Sequence, residues 1–159
     1  MNVSSILLWG FIATLVLSTT MAAGQGFGHT RMSIPFLVGT IFTPARDRAM
    51  VIGSIVQFAL GILFALVYAQ VFESLNQTGW WIGAALGLLQ AAFTLTVGMV
   101  VLPGLHPHMV SEYFGPTPNR LLQPPGFLAL NYGRRTPVVT AIAHALYGAI
   151  VGAFYQLAP

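Results

Sequence analysis

Four stretches of this chain, residues 3–23, 49–72, 79–102 and 137–157, contain no Asp, Glu, Lys or Arg and are dominated by apolar side chains. Each is long enough to cross a hydrocarbon core of roughly 30 Å, which takes about 20 helical residues. Backbone amides left unpaired in lipid are prohibitively costly, so runs of this kind fold as helices. The short link 73–78 makes the second and third an antiparallel hairpin. Pro137 suits the first turn of the fourth, where its missing N–H costs nothing. The expected fold is an all-α membrane protein, with four transmembrane helices in a bundle forming one integral membrane domain over 1–159.

Composition removes most other classes. Of the 159 residues, 56% are hydrophobic and 6% charged, whereas a soluble domain carries about a quarter charged residues. An ordinary soluble enzyme is therefore excluded. Without Cys there is neither a disulfide framework nor a thiolate metal site. The formal charge of +3 comes from six Arg and no Lys, but no basic stripe interleaves with exposed aromatics, so nucleic acid is not an expected partner. The first run ends in small residues, Met21-Ala22-Ala23-Gly24, as a signal peptide does. It is long and has no Lys or Arg ahead of it, so a retained helix is expected.

All six arginines fall in two segments, 24–48 and 103–136. The positive-inside rule puts both loops in the cytoplasm, and both termini and the Glu73 turn outside. Trp80, Trp81, Tyr68 and Tyr155 then form an aromatic belt near the outer interface. Arg46, Arg48, Arg134 and Arg135 open the second and fourth helices, where they read as lipid-headgroup contacts.

The chain also repeats itself. A slide of 77 places Gly10 on Gly87, Thr19 on Thr96, His29 on His106 and Met32 on Met109. A slide of 87 places Arg48 on Arg135, Gln57 on His144, Gly61 on Gly148 and Tyr68 on Tyr155. The bundle is thus expected to consist of two parallel helix-loop-helix repeats about a pseudo-two-fold axis along the membrane normal. Small residues four apart, at Gly83 and Gly87, Gly148 and Gly152, and Gly10, Thr14, Ser18 and Ala22, supply faces where helix backbones approach closely. They serve packing within the chain or contacts with a partner.

Both loops hold apolar stretches too short to span, 34–42 and 126–132. Two placements are open: lying in the interface as a cap, or re-entering the membrane to line a pore at the axis. Pro116, Pro118, Pro124 and Pro125 stiffen the second loop.

The polar exceptions are the chemical candidates. His29, Met32, His106, His108 and Met109, with Glu112 nearby, offer imidazole and thioether ligands suited to copper, particularly Cu(I). Ordinary hydrogen bonds from these histidines to loop backbone are the alternative. His144 lies within the fourth helix, and an intramembrane ionisable residue is a functional candidate by default. Ala141, Ala145 and Gly148 leave room beside it for a haem or other pigment macrocycle ligated through the imidazole. The alternative is a neutral His144 hydrogen-bonded to Gln57 or Gln90. Asp47, between two arginines, reads as an interfacial ion pair, and no acid–base constellation marks a catalytic site.

The phrases Gly61-Ile-Leu-Phe-Ala-Leu-Val-Tyr68 and Trp81-Ile-Gly-Ala-Ala-Leu-Gly87, with Pro103-Gly-Leu later and His144 in the last helix, resemble small uncharacterised bacterial inner-membrane proteins of the YagU-like group. The resemblance covers the last three helices and implies a multi-span fold in a bacterial inner membrane. The expected role is a non-catalytic accessory or structural subunit of a bacterial membrane complex, with lipid and other subunits or a second copy as partners. A copper- or haem-binding protein and a small-solute channel are the alternatives.

Overall fold

The computed structural model describes residues 1–111, 115–119 and 122–157. Among them the named secondary-structure elements are all helical, and Met109 and Leu122 form an isolated bridge. Four helices are long and apolar enough to cross a membrane: α1 (Val3–Gly26), α3 (Arg46–Leu75), the run Trp80–Leu105, and α6 (Thr136–Phe154). A six-residue helix, α2 (Ile34–Gly39), lies in the first long loop. The third run divides into α4 (Trp80–Phe93), a π-turn over Thr94–Gly98, and α5 (Met99–Leu105). Large apolar side chains such as Leu7, Phe11, Ile55, Leu89 and Phe93 cover the exterior, as a lipid bilayer environment requires.

The helix ends follow local chemistry. Asn2 caps α1 by accepting from the Ser5 N–H at 3.1 Å, and Ser33 caps α2 through the Phe36 N–H. Asn76, in the left-handed region at φ 49°, ends α3 while the Gln77 N–H reaches back to the Phe72 carbonyl. The fourth span stops at Phe154 rather than 157, because Tyr155 turns extended. There the Tyr155 hydroxyl donates to Glu73 and accepts from the Asn2 N–H, which ties three helix ends together.

The four long helices pack in the order α3, α1, α6, α4. The apolar driving force between helices vanishes in lipid, so close packing and hydrogen bonds must hold them. The small-residue faces do this within the chain. Along α1, Gly10 meets Ala65, Thr14 meets Gly61, and Ser18 accepts from Gln57 of α3. Between α4 and α6 the main chains touch: a Cβ on Gly83 would overlap the Gly148 carbonyl, and one on Gly87 the His144 carbonyl. Gly24 brings α1 against Val139 of α6. Each half of the chain is therefore a packed helix-loop-helix, but the halves join unequally. Helices α1 and α6 close on each other, while α3 and α4, although consecutive, do not pack along their lengths.

The loop stretch 34–42 does not lie flat beneath the bundle. Helix α2 runs alongside the first turns of α3, its Pro35 carbonyl against Gly53 and its Gly39 against the Ala49 carbonyl. Side chains at either glycine would part the two backbones. The other stretch, Phe127–Tyr132, is kinked at Leu128 and Ala129, which are left-handed at φ 55° and 54°, and it lies beside the π-turn and α6. The two loops are joined near the start of α6. The Arg31 N–H donates to the Tyr132 carbonyl at 2.7 Å, and Thr30 and Thr136 share a buried hydroxyl contact at 2.7 Å.

Candidate functional site

The gap between α3 and α4 is a cleft of about 270 Å³. Its back wall is α1 and α6, through Thr14, Leu17, Thr140, His144 and Tyr147. Helix α3 contributes Gln57, Leu60 and Phe64, and the opposite side comes from Gln90, Thr94 and Met99. Leu60, 41% exposed, marks its mouth. Two bridges limit it. At one end the Tyr68 hydroxyl donates to Gln90 Oε1 at 2.6 Å, and Tyr147 donates to the Gly61 carbonyl. At the other, Leu37 and Val38 of α2 fill the space between the helices. The π-turn belongs to this site, since Thr94 and Gly98 both line the cleft. Such turns, where the helix takes in an extra residue, are frequent at functional sites.

The polar groups in the cleft are unevenly satisfied. Gln57 is 6% exposed and Thr140 is fully buried, yet Gln57 Oε1 and Thr140 Oγ1 have no hydrogen-bond partner. His144 donates from Nδ1 to the Thr140 carbonyl at 2.9 Å, one turn back on its own helix. It therefore bonds to neither Gln57 nor Gln90, both of which the sequence offers as partners. Gln57 instead donates to Ser18, and Gln90 accepts from Tyr68. With its proton on Nδ1, the neutral ring leaves Nε2 as an acceptor. The space that Ala145 and Gly148 leave beside His144 is taken by Gly87 and Gly83 of α4, so the open side of the ring is the cleft.

The loop histidines serve a different purpose. His106 is buried at the end of α5; the His108 N–H donates to its Nδ1 at 3.1 Å, so the proton sits on Nε2. That nitrogen faces the Leu37 carbonyl at 3.1 Å and the Thr40 hydroxyl at 3.2 Å. His108 Nδ1 donates to the Thr40 carbonyl at 2.6 Å. The pair thus satisfies carbonyls at the end of α2, which a helix terminus otherwise leaves open. Burial lowers the pKa of His106; the Leu37 hydrogen bond opposes that shift and the charge of His108 adds to it.

His29 lies elsewhere, with Nδ1 at 3.3 Å from an Arg135 guanidinium nitrogen. Met32 and Met109 are both buried in the core, and Met32 also lines the cleft. Glu112 lies outside the described residues. Among those residues no three of His, Asp and Glu gather as a metal-binding group. Arg46, Arg48, Arg134 and Arg135 are exposed at the starts of α3 and α6.

Sequence reasoning missed Thr140 and placed Gln57 only as a partner for His144. A signal was present, because Gln57 and His144 occupy equivalent positions in the repeat and both line the same cleft. Comparison with protein-family models, with curated proteins and with solved structures finds no match to this chain.

Proposed function

We propose that this chain, a multi-pass protein of a bacterial inner membrane, works by binding rather than catalysis, and takes a small lipid-soluble molecule into the cleft between α3 and α4. One observation carries this reading: Gln57 and Thr140 both line the cleft, and each has a buried side-chain atom, Oε1 and Oγ1, that no protein group satisfies. Each such atom costs about 1–3 kcal/mol, and a ligand that reaches it offsets that cost. Size agrees as well. An apolar cavity of about 150 Å³ accepts benzene, so about 270 Å³ suits a substituted ring or a short chain.

The arginines at the starts of α3 and α6 support cytoplasmic loops and external termini. The YagU-like phrases support the bacterial inner membrane. An accessory-subunit role would draw on free small-residue faces, but those of α4 and α6 are spent on each other, which favours the cleft as the working surface. A channel would need both loop stretches at the axis, and only α2 lines the cleft.

The test is photolabelling of the full chain in proteoliposomes with an apolar diazirine. Saturable labelling at Leu60, Phe64 and Met99, reduced by the cleft-filling change Leu60→Trp, is the expected result. Labelling there that never saturates and matches lipid-facing Leu7 and Leu89 would overturn the reading.

A further inference from the structure

Helix α5 is the loosest part of the cleft wall. Of its seven residues only Met99, the first, is buried, and it packs along its length against none of α1, α3 and α6. Space lies on both sides of it. Met99 and Leu102 line the cleft, while Met99, Val101 and Gly104, together with Phe127 of the second loop, line another cavity of about 510 Å³. Its backbone is weakly tied as well. The π-turn precedes it, a Cβ on Gly98 would meet nothing closer than 3.9 Å, and Pro103 supplies no N–H to the Met99 carbonyl.

What holds the far end of α5 against the cleft is a pair of side chains. His106 Nε2 lies 3.1 Å from the Leu37 carbonyl, and His108 Nδ1 donates to the Thr40 carbonyl at 2.6 Å. Both acceptors belong to the end of α2, which Gly39 and Gly53 seat against α3. Past this latch the chain is anchored again, because Met109 is buried and the Val110 N–H donates to the Leu122 carbonyl at 3.1 Å. Helix α5 is thus a strap with a pivot at the π-turn, an anchor beyond His108 and two histidines on α2. Segments with so few buried contacts open at the low end of a protein's range of local stabilities.

We propose that α5 is a gate on the cleft: when His106 and His108 release α2, the strap bows into the second cavity and the cleft opens between α2 and α5. The inference rests on the reading of the cleft as a ligand site. It gives the ligand a second way in or out, at the loop end, besides the mouth at Leu60.

The chain has no Cys, so spin labels attach only where one is introduced. In the full chain in nanodiscs, the distance between labels at Leu105→Cys and Val51→Cys, both exposed positions, reports the strap. The distance between Val138→Cys and Val51→Cys reports the frame. One strap distance is expected in the native chain and in His106→Gln, whose side-chain amide can still donate to the Leu37 carbonyl. The double variant His106→Ala/His108→Ala is expected to add a second, longer strap distance while the frame stays fixed. Each single alanine change should add a smaller fraction of that same distance, which serves as the test where thermal melting shows the double variant unfolded. Release should also speed exchange of the diazirine probe, read as saturable labelling at Leu60, about tenfold. An unchanged strap distance in a folded variant, or a frame distance that moves with it, overturns the gate and leaves the cleft as a site. A strap that moves without faster exchange overturns it as well. Labelling at Leu60 that never saturates removes the ligand reading, while the two distances still decide whether the strap moves.

Discussion

Along α4 and α6, Gly83 and Gly87 meet Gly148 and Gly152 with main chains in contact, whereas α3 and α4, joined by the short turn 76–79, stand apart around a cleft. The difference lies in how each helix spends its small residues. Those of α3 are already occupied: Gly53 faces α2, while Gly61 and Ala65 face α1. What remains toward α4 is Leu60 and Phe64, and across from them Met99 and Leu102. Helices in lipid gain little from burying apolar surface against each other, so a bulky interface has nothing to draw it shut. Adjacency in sequence sets the turn but not the packing.

The largest effect should come from breaking the tight seam. Gly83→Leu forces a side chain into the Gly148 carbonyl and should cost at least about 3 kcal/mol, read as thermal unfolding in detergent. At Gly98, on the cleft side, an added Cβ meets nothing closer than 3.9 Å, and Gly98→Ala should move stability by less than about 0.5 kcal/mol. Equal losses in the two variants would erase the distinction between seam and cleft.

An intermediate effect is expected where α2 wedges one end of the gap. Gly53→Val drives a side chain into the Pro35 carbonyl. Because a six-residue helix can shift more readily than a full span, the cost should be smaller, about 2 kcal/mol. It should show as faster hydrogen exchange at Leu37 and Thr40 with the α4–α6 seam unchanged. Loss of protection along α4 as well would mean that wedge and seam fold as one unit.

The smallest effect concerns His106, which holds the end of α2. Its folded pKa lies below the ordinary 6.5 because burial disfavours the charged ring. The unfolded chain therefore takes up the proton first. This contribution to stability is full above pH 6.5 and falls as pH drops from there toward the folded value. Exchange at Leu37 and Thr40, corrected for its intrinsic pH dependence, should quicken below pH 6.5 in the native chain, and His106→Gln should abolish the trend. An unchanged trend in that variant would place the sensitive group elsewhere.

Much of the fold was legible beforehand. The four charge-free runs became the four spans, and Pro137 sits in the first turn of α6, where its missing N–H costs nothing. The four-residue spacing of Gly10, Thr14 and Ser18, and of Gly83 and Gly87, marked true contact faces. The site was legible only in part. His144 stood out as an ionisable group within a span, but its bond to Thr140 could not be read, because a backbone carbonyl one turn back competes equally with Gln57 and Gln90. Nor could the role of His106 and His108 be read. A histidine near a helix end looks the same whether it binds a metal or caps the carbonyls of a neighbouring segment.

By itself, the sequence determined that this chain forms four membrane-length helices with small residues on selected faces, because hydropathy and backbone hydrogen bonding act locally and leave no other structure in lipid. Only the tertiary structure decided which faces met. With α1 and α3 apolar nearly all round, their side chains alone do not say which way each helix turns. The choice fell to where backbones could touch, at Gly83 with Gly148 and at Gly53 with Pro35, and the cleft with its unsatisfied Gln57 and Thr140 is the space that those contacts left open.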